Sequence, residues 1–268
     1  HGKGPARHAK TVLSKYILDR LKRDGLIQVN LMKGEKIAGV DDRTPDRPVG
    51  TLTREEYNKT VNHLLARDPD RTRFPGSSTR QKEKAQTVAK HRRAILLTLI
   101  QAATGLRINE ALDARWGDHV TVTADRVTIT VTGTTSKTKR SRTVPILVEE
   151  VADLVREMSA AAAPGTPLIP SPGDPAKRWD NGNAGDAVAA LYDGLADELE
   201  IDTLRKYRSH MWRGTLNTLL ADKLPDALRA AFFGHSTAEN DRSYTGGVDT
   251  TPMIDAIHAL RKPTDKPT

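Results

Sequence analysis

The chain has 268 residues, with 42 Lys and Arg against 34 Asp and Glu for a formal net charge of +8, and 37% of its residues are hydrophobic. That is enough apolar side chain for a core, yet the most apolar run, residues 94–103, contains Thr98 and Gln101 and is too short to cross a bilayer. Cysteine is absent, which excludes a disulfide framework, a thiol nucleophile and cysteine-ligated zinc.

The chain opens on His1, as a piece trimmed from a longer protein would, and no apolar stretch follows to make a secretory signal. Val12, Leu13, Tyr16, Ile17 and Leu21 recur at helical spacing and predict a helix over 8–24 that Gly25 stops. Residues 34–50, with Asp41, Asp42, Pro45 and Pro48 between glycines, read as a linker. Thr53 with Glu56 three residues on is a capping box that opens the next helix. A basic loop over 69–82 leads to a helix from Glu83 to Ala103, closed by Gly105, and a short helix over 107–115 follows directly. Residues 126–132 alternate Val127, Ile129 and Val131 with polar residues, and 143–147 do likewise, so the two form a hairpin around 133–142. Val151, Leu154, Val155 and Met158 mark one face of a helix over 148–158. The prolines and glycines of 164–185 predict a long loop. Helices are expected at 186–199, 210–220, 225–233 and 252–260, with Pro225 at the first position of its helix and Gly234 past the end. The class is mostly α with one small antiparallel sheet, and there is no internal repeat.

A pI near 9.7 points to a polyanionic partner, and the cations are clustered. Arg71, Arg73, Arg80, Lys82, Lys84, Lys90, Arg92 and Arg93 face only Glu83 within 71–93. The hairpin turn holds Lys137, Lys139, Arg140 and Arg142, and a third cluster is Arg205, Lys206, Arg208 and Arg213. Aromatic residues make up only 4%, which argues against base stacking on single strands and for contact with a duplex backbone. Arg80, Lys82, Lys84, Lys139, Arg140, Arg142, Arg205 and Lys206 are the candidate DNA contacts.

Four separated features bear the chemistry. Thr104-Gly-Leu-Arg-Ile-Asn-Glu puts Arg107 at a helix start, where backbone amides favour an anion, and Glu110 one turn on can pair with it. Ser136-Lys-Thr-Lys139 lifts Lys137 on the hairpin turn, and His210-Met-Trp-Arg213 puts a histidine and an arginine on one helical face. Gly234-His235-Ser236 follows a helix end, and Tyr244 comes nine residues after His235. This ordered set resembles the tyrosine recombinase (phage integrase) family: its first arginine box over 104–116, its hairpin lysine, its HxxR, its GH and the spacing of its nucleophile. The resemblance runs from about residue 51 to 261. It departs at Gly214, where many members carry a second histidine, and at Trp212, which replaces a frequent leucine.

The resemblance implies the tyrosine recombinase catalytic-domain fold for 51–268, a remnant of the N-terminal core-binding domain for 1–33 and a linker over 34–50. It implies a site-specific recombinase, the integrase of a mobile element or phage, that cuts and rejoins paired duplex sites through a 3′-phosphotyrosine. The planar guanidinium groups of Arg107 and Arg213 would hold the phosphate oxygens. Tyr244 would attack and His210 would accept its proton, since a phenol ordinarily titrates at about 10. Lys137 would protonate the leaving 5′-oxygen, His235 would hydrogen-bond the scissile phosphate, and Glu110 would steady Arg107. No metal or cofactor is implied. The expected partners are double-stranded recombination sites, further copies of the chain (a tetramer in the synaptic complex) and accessory DNA-bending proteins, in the cytoplasm at the nucleoid and away from membranes.

Alternatives stay open. Tyr207 rivals Tyr244, and Lys139 rivals Lys137. His63, His91, His119 and His258 have no partner pattern and read as surface or packing residues. The stripe Met253, Ile254, Ile257 and Leu260 packs in cis by default and on a neighbouring protomer by the resemblance. A type IB topoisomerase-like nicking-closing enzyme, or a catalytically silent DNA-binding module, would carry the same basic surface.

Overall fold

The computed structural model describes residues 3–35, 50–68, 81–133, 141–234 and 252–261. The chain divides into two compact units, 1–48 and 49–268. In the first, α1 (Lys3–Thr11), a π-helical stretch (Val12–Leu18) and α2 (Asp19–Arg23) follow without a break, so the helix expected over 8–24 starts earlier and is widened in its middle. Gly25, at φ +75, ends it. The chain then folds back, held by the buried Asn30, whose Nδ2 donates to Ser14 O at 3.0 Å and Asp19 Oδ1 at 2.8 Å.

The second unit opens as its sequence dictates. Thr53 caps α3 (Arg54–Ala66): Glu56 N donates to Thr53 Oγ1 at 3.2 Å and Thr53 N to Glu56 Oε2 at 2.8 Å. The long α4 (Gln81–Thr104) buries Leu97, Ile100 and Ala103 and packs against α3 and the later helices over 181–199 and 211–219. Burying this apolar stripe contributes to the core that holds the unit together. After α5 (Ile108–Leu112) come β1 (Val120–Val122), β2 (Val127–Val131) and β3 (Arg142–Pro145), antiparallel in that order. Ile129 pairs with Val144 and Val131 with Arg142. The expected hairpin therefore gains a strand, too short to show in the sequence. The turn between β2 and β3 lies largely outside the described residues.

Beyond α6 (Glu149–Ser159), the stretch expected as loop contains a second antiparallel pair, β4 (Pro170–Ser171) and β5 (Asp174–Arg178), and the first turn of α7 (Asn181–Leu199). Among the described residues there are thus two small sheets, where one was expected. Proline is tolerated at a sheet edge, and β4 is held by packing on α4, which composition does not reveal. Asp180 caps α7, its carboxylate accepting from Asn183 N at 3.0 Å. A short α8 (Asp202–Tyr207), also unread in the sequence, leads through a 3-10 turn (Arg208–His210) into α9 (Met211–Leu219). The departure at Trp212 is accommodated by packing: the indole is fully buried, donates to Tyr192 Oη and meets the Tyr57 ring edge-on at 6.1 Å. In α10 (Asp226–Phe233), Pro225 is the residue before the helix, one position earlier than expected, and Gly234 follows at φ +61. In α11 (Pro252–Arg261) Met253 and Ile257 are fully buried, and Arg261 Nη2 donates to Asn62 Oδ1 at 2.8 Å, so these two residues of the terminal stripe pack in cis here. No helix among the described residues is long and apolar enough to cross a membrane.

One glycine ties this fold to the site. Gly105 ends α4 at φ +65, and a Cβ there would lie 2.7 Å from Phe233 Cε1. Gly105→Ala is expected to cost about 1–2 kcal/mol from the left-handed backbone alone. That lowers the thermal midpoint by about 2–8 °C, readable by calorimetry.

Candidate active site

Arg107 stands immediately before α5, at the end of the turn that Gly105 makes possible. The sequence left the amides of this helix start open to an outside anion. Instead Glu110, on α5 itself, accepts from Arg107 N at 2.9 Å and from Arg107 Nη1 at 3.0 Å. The carboxylate is only 2% exposed, and it gathers more than its neighbour. Arg142 Nη2, from β3, donates to Glu110 Oε2 at 2.7 Å, and Arg213 Nη2, from α9, lies 3.6 Å from the same oxygen. Three guanidinium groups thus converge on one buried carboxylate.

The arginines also fasten α10. Arg213 Nε donates to Gly105 O at 3.2 Å, its Nη1 donates to Phe233 O, and its guanidinium lies 5.7 Å from the Phe233 ring centre. Arg142 Nε donates to Phe232 O at 3.1 Å. The last carbonyls of a helix lack intrahelical donors and carry partial negative charge, so both cations suit that end. Immediately afterwards, Gly234 must remain a glycine: its φ is positive, and a Cβ there would lie 3.0 Å from Arg142 Nη1.

The charge balance of the cluster is lopsided. Burial raises the Glu110 carboxyl, but the hydrogen bond and charge of Arg142, the Arg107 amide and the charge of Arg213 outweigh it, so the group stays below its ordinary value. Arg213 moves the other way. Burial, then Arg107 and Arg142, push it down to about 9 against the pull of Glu110. Arg142 Nη1 and Arg213 Nη2 are buried donors with no hydrogen-bond partner among the described residues. A further anion beside Arg213 and the half-exposed Arg107 would relieve this excess.

Because Glu110 is the only carboxylate in the cluster among the described residues, Glu110→Gln leaves three cations facing one another. Breaking a buried pair from one side costs about 3–5 kcal/mol, which is a fall of roughly 10 °C in thermal midpoint at neutral pH. The sign with pH follows from the depressed folded-state value. Glu110 contributes stability fully above the ordinary 4.5 and loses it as pH falls through the lower folded value. Melting curves of wild type and Glu110→Gln should therefore converge below pH 4.5.

His210 ends the 3-10 turn and is exposed one helical turn before Arg213. The turn begins at Arg208, at φ +51 and ψ −140, a backbone region that costs a non-glycine residue roughly 1–3 kcal/mol. Of the other expected site residues, Lys137, His235 and Tyr244 lie outside the described residues, as do the expected DNA contacts Arg80, Lys139 and Arg140; Lys82 and Lys84 fall on the first turn of α4. Arg205 is paired with Asp197, Asp193 and Asp202, and Lys206 Nζ sits 5.3 Å over the Tyr207 ring. His63 pairs with Glu198 at 2.9 Å and His91 is buried, so those two serve local structure. Sequence reasoning set Arg142 among the surface cations, whereas its side chain is 8% exposed and sits inside the cluster. The signal was present: Arg142 shares the two-residue period of the buried Val144, and so faces inward.

The phage integrase family model matches residues 79–248. Among solved structures, the Tn1549 transposon integrase in complex with circular intermediate DNA is 14% identical with a TM-score of 0.53, over 98% of this chain and 80% of that one. The XerH site-specific recombinase bound to difH substrate, in a pre-cleavage complex, is 19% identical with a TM-score of 0.47, over 80% of this chain. The alignment takes in 55% of the XerH chain, about half its length. No curated protein matches the chain significantly. A family match over well more than half the sequence, on a mostly helical fold of the tyrosine recombinase catalytic-domain type, means that the chain belongs to the phage integrase family of tyrosine recombinases.

Proposed function

We propose that this chain is a site-specific recombinase that cuts and rejoins double-stranded DNA through a 3′-phosphotyrosine. The observation that carries the reading is the cluster itself: Arg107 and Arg213, far apart in sequence, meet on one buried carboxylate with positive charge to spare. Phosphoryl transfer spreads charge over the non-bridging oxygens, and planar guanidinium groups bind such oxygens in pairs. In this reading Tyr244 Oη attacks the phosphorus, its proton passes to His210, and the bond to the 5′-oxygen breaks. Lys137 gives that oxygen a proton, and His235 donates to the phosphate. The phosphotyrosyl bond keeps the energy of the broken link, so attack by a 5′-hydroxyl restores DNA and frees the phenol without ATP.

The substrate is a pair of duplex sites, as befits an integrase of a mobile element or phage acting as an oligomer on DNA with bending proteins in attendance. The Tn1549 integrase, held with circular intermediate DNA, supports that partner. Residues 1–33 serve as the end of a core-binding domain, with 34–50 as the linker. A nicked duplex that loses its 5′-hydroxyl strand on cleavage provides the test: wild type should accumulate an adduct that survives SDS. Tight duplex binding with no adduct under any condition would instead mark a silent binding module.

A further inference from the structure

The sequence placed Arg142 among the DNA contacts, yet it is the most buried of the three guanidinium groups. It occupies the first position of β3, and each of its arms reaches a different element. Nη2 holds Glu110 on α5, Nε holds the Phe232 carbonyl at the end of α10, and Nη1 lies against Gly234. In sequence these contacts tie three things together. The hairpin bearing Lys137 ends at Arg142, the carboxylate steadies Arg107 and Arg213, and Gly234 opens the segment bearing His235 and Tyr244.

We propose that Arg142 is a positioning residue, a clamp that fixes the end of α10 and Glu110 to β3 and so sets strand, guanidinium pair and Gly234 in one register. The proposal rests on the recombinase reading for its catalytic half only. Its side chain is 8% exposed, against 15% for Arg213 and 37% for Arg107, and Nη2 and Nε are already held by Glu110 and Phe232 O, so its task is to hold these elements. Lysine could reach one acceptor but cannot fork to both Glu110 and Phe232 O.

The test uses the full chain with Arg142→Met and Arg142→Lys. Without the charged hydrogen bond to Phe232 O, amide exchange over 226–234 should quicken about tenfold or more in Arg142→Met, with Arg142→Lys between it and wild type. Single-turnover adduct formation at saturating protein should fall about a hundredfold, with duplex affinity within about twofold. The acid limb of the rate should also move to higher pH. Glu110 is faced by Arg107 from the start of α5, Arg142 from β3 and Arg213 from α9, and losing the strongest of these lets the carboxyl protonate earlier. Where Arg142→Met does not fold, Arg142→Lys carries all three readings. Unchanged exchange over 226–234, cleavage that falls only as far as duplex binding falls, or an unmoved acid limb would each overturn the clamp. A wild type that makes no adduct would sink the recombinase reading instead, and the exchange result would still decide whether Arg142 holds α10.

Discussion

Replacing Tyr244 by phenylalanine is expected to abolish covalent attachment to DNA while leaving duplex affinity within about twofold. One oxygen is lost and nothing else in the site changes, so the rate should fall by on the order of 10^6-fold, the scale of nucleophile deletions. Three of the other tyrosines make poor substitutes. Tyr57 is fully buried and donates to Ala102 O at 3.1 Å, and burial pushes its phenol well above the usual range. Tyr192 is also fully buried and accepts from the Trp212 indole, its phenol pushed up to about 12 by burial. Tyr207, the rival in sequence, packs so closely on Gly50 that a Cβ there would fall 2.0 Å from its ring. Tyr207→Phe should therefore cleave nearly as wild type does. Gel separation of SDS-treated mixtures checks both variants.

Arg213→Ala carries the second large effect. Removing one preorganised donor to a developing oxyanion slows a reaction by about 10^2–10^3-fold, and Arg213 is the most enclosed of the pair expected to hold the phosphate, at 15% exposed against 37% for Arg107. Stability should change much less. The residue loses tethers to Gly105 O and Phe233 O, but its charge is disfavoured in the folded state by burial and by Arg107 and Arg142. Because its folded value near 9 lies below its unfolded one, that penalty is fully present at lower pH and fades only as pH rises through 9. Alanine removes tether and penalty together. A thermal midpoint within about 4 °C of wild type, beside a rate lowered by two to three orders of magnitude, separates chemistry from folding. Arg213→Lys should recover little of the rate, since an ammonium does not reproduce the planar fork.

Much of this fold is legible in the sequence, and the reasons are local. The Thr53–Glu56 capping box, the long period of α4 with its closing Gly105, the alternation of Val127, Ile129 and Val131, and Gly234 after α10 each report geometry within a few residues. What stays hidden depends on distant partners. β1 and β4 are too short to have a period, and β5 and the first turn of α7 lie among prolines, glycines and asparagines that mimic a loop. In the site, sequence order aligned Arg107, Glu110 and Arg213 with a family pattern, but it could not say that Glu110 gathers Arg107, Arg142 and Arg213 together. Nor could it tell Arg142 from its solvated neighbours, since a cation after a basic turn looks like surface until the strand register turns it inward.

The most direct measurement is to trap the adduct on a nicked duplex, digest away protein and DNA, and identify by mass spectrometry the side chain that carries the nucleotide. A 3′-phosphonucleotide on Tyr244 is the expected result. The same group on another tyrosine, a nucleotide joined through its 5′-phosphate, or no modified peptide from an efficiently cut duplex would contradict it.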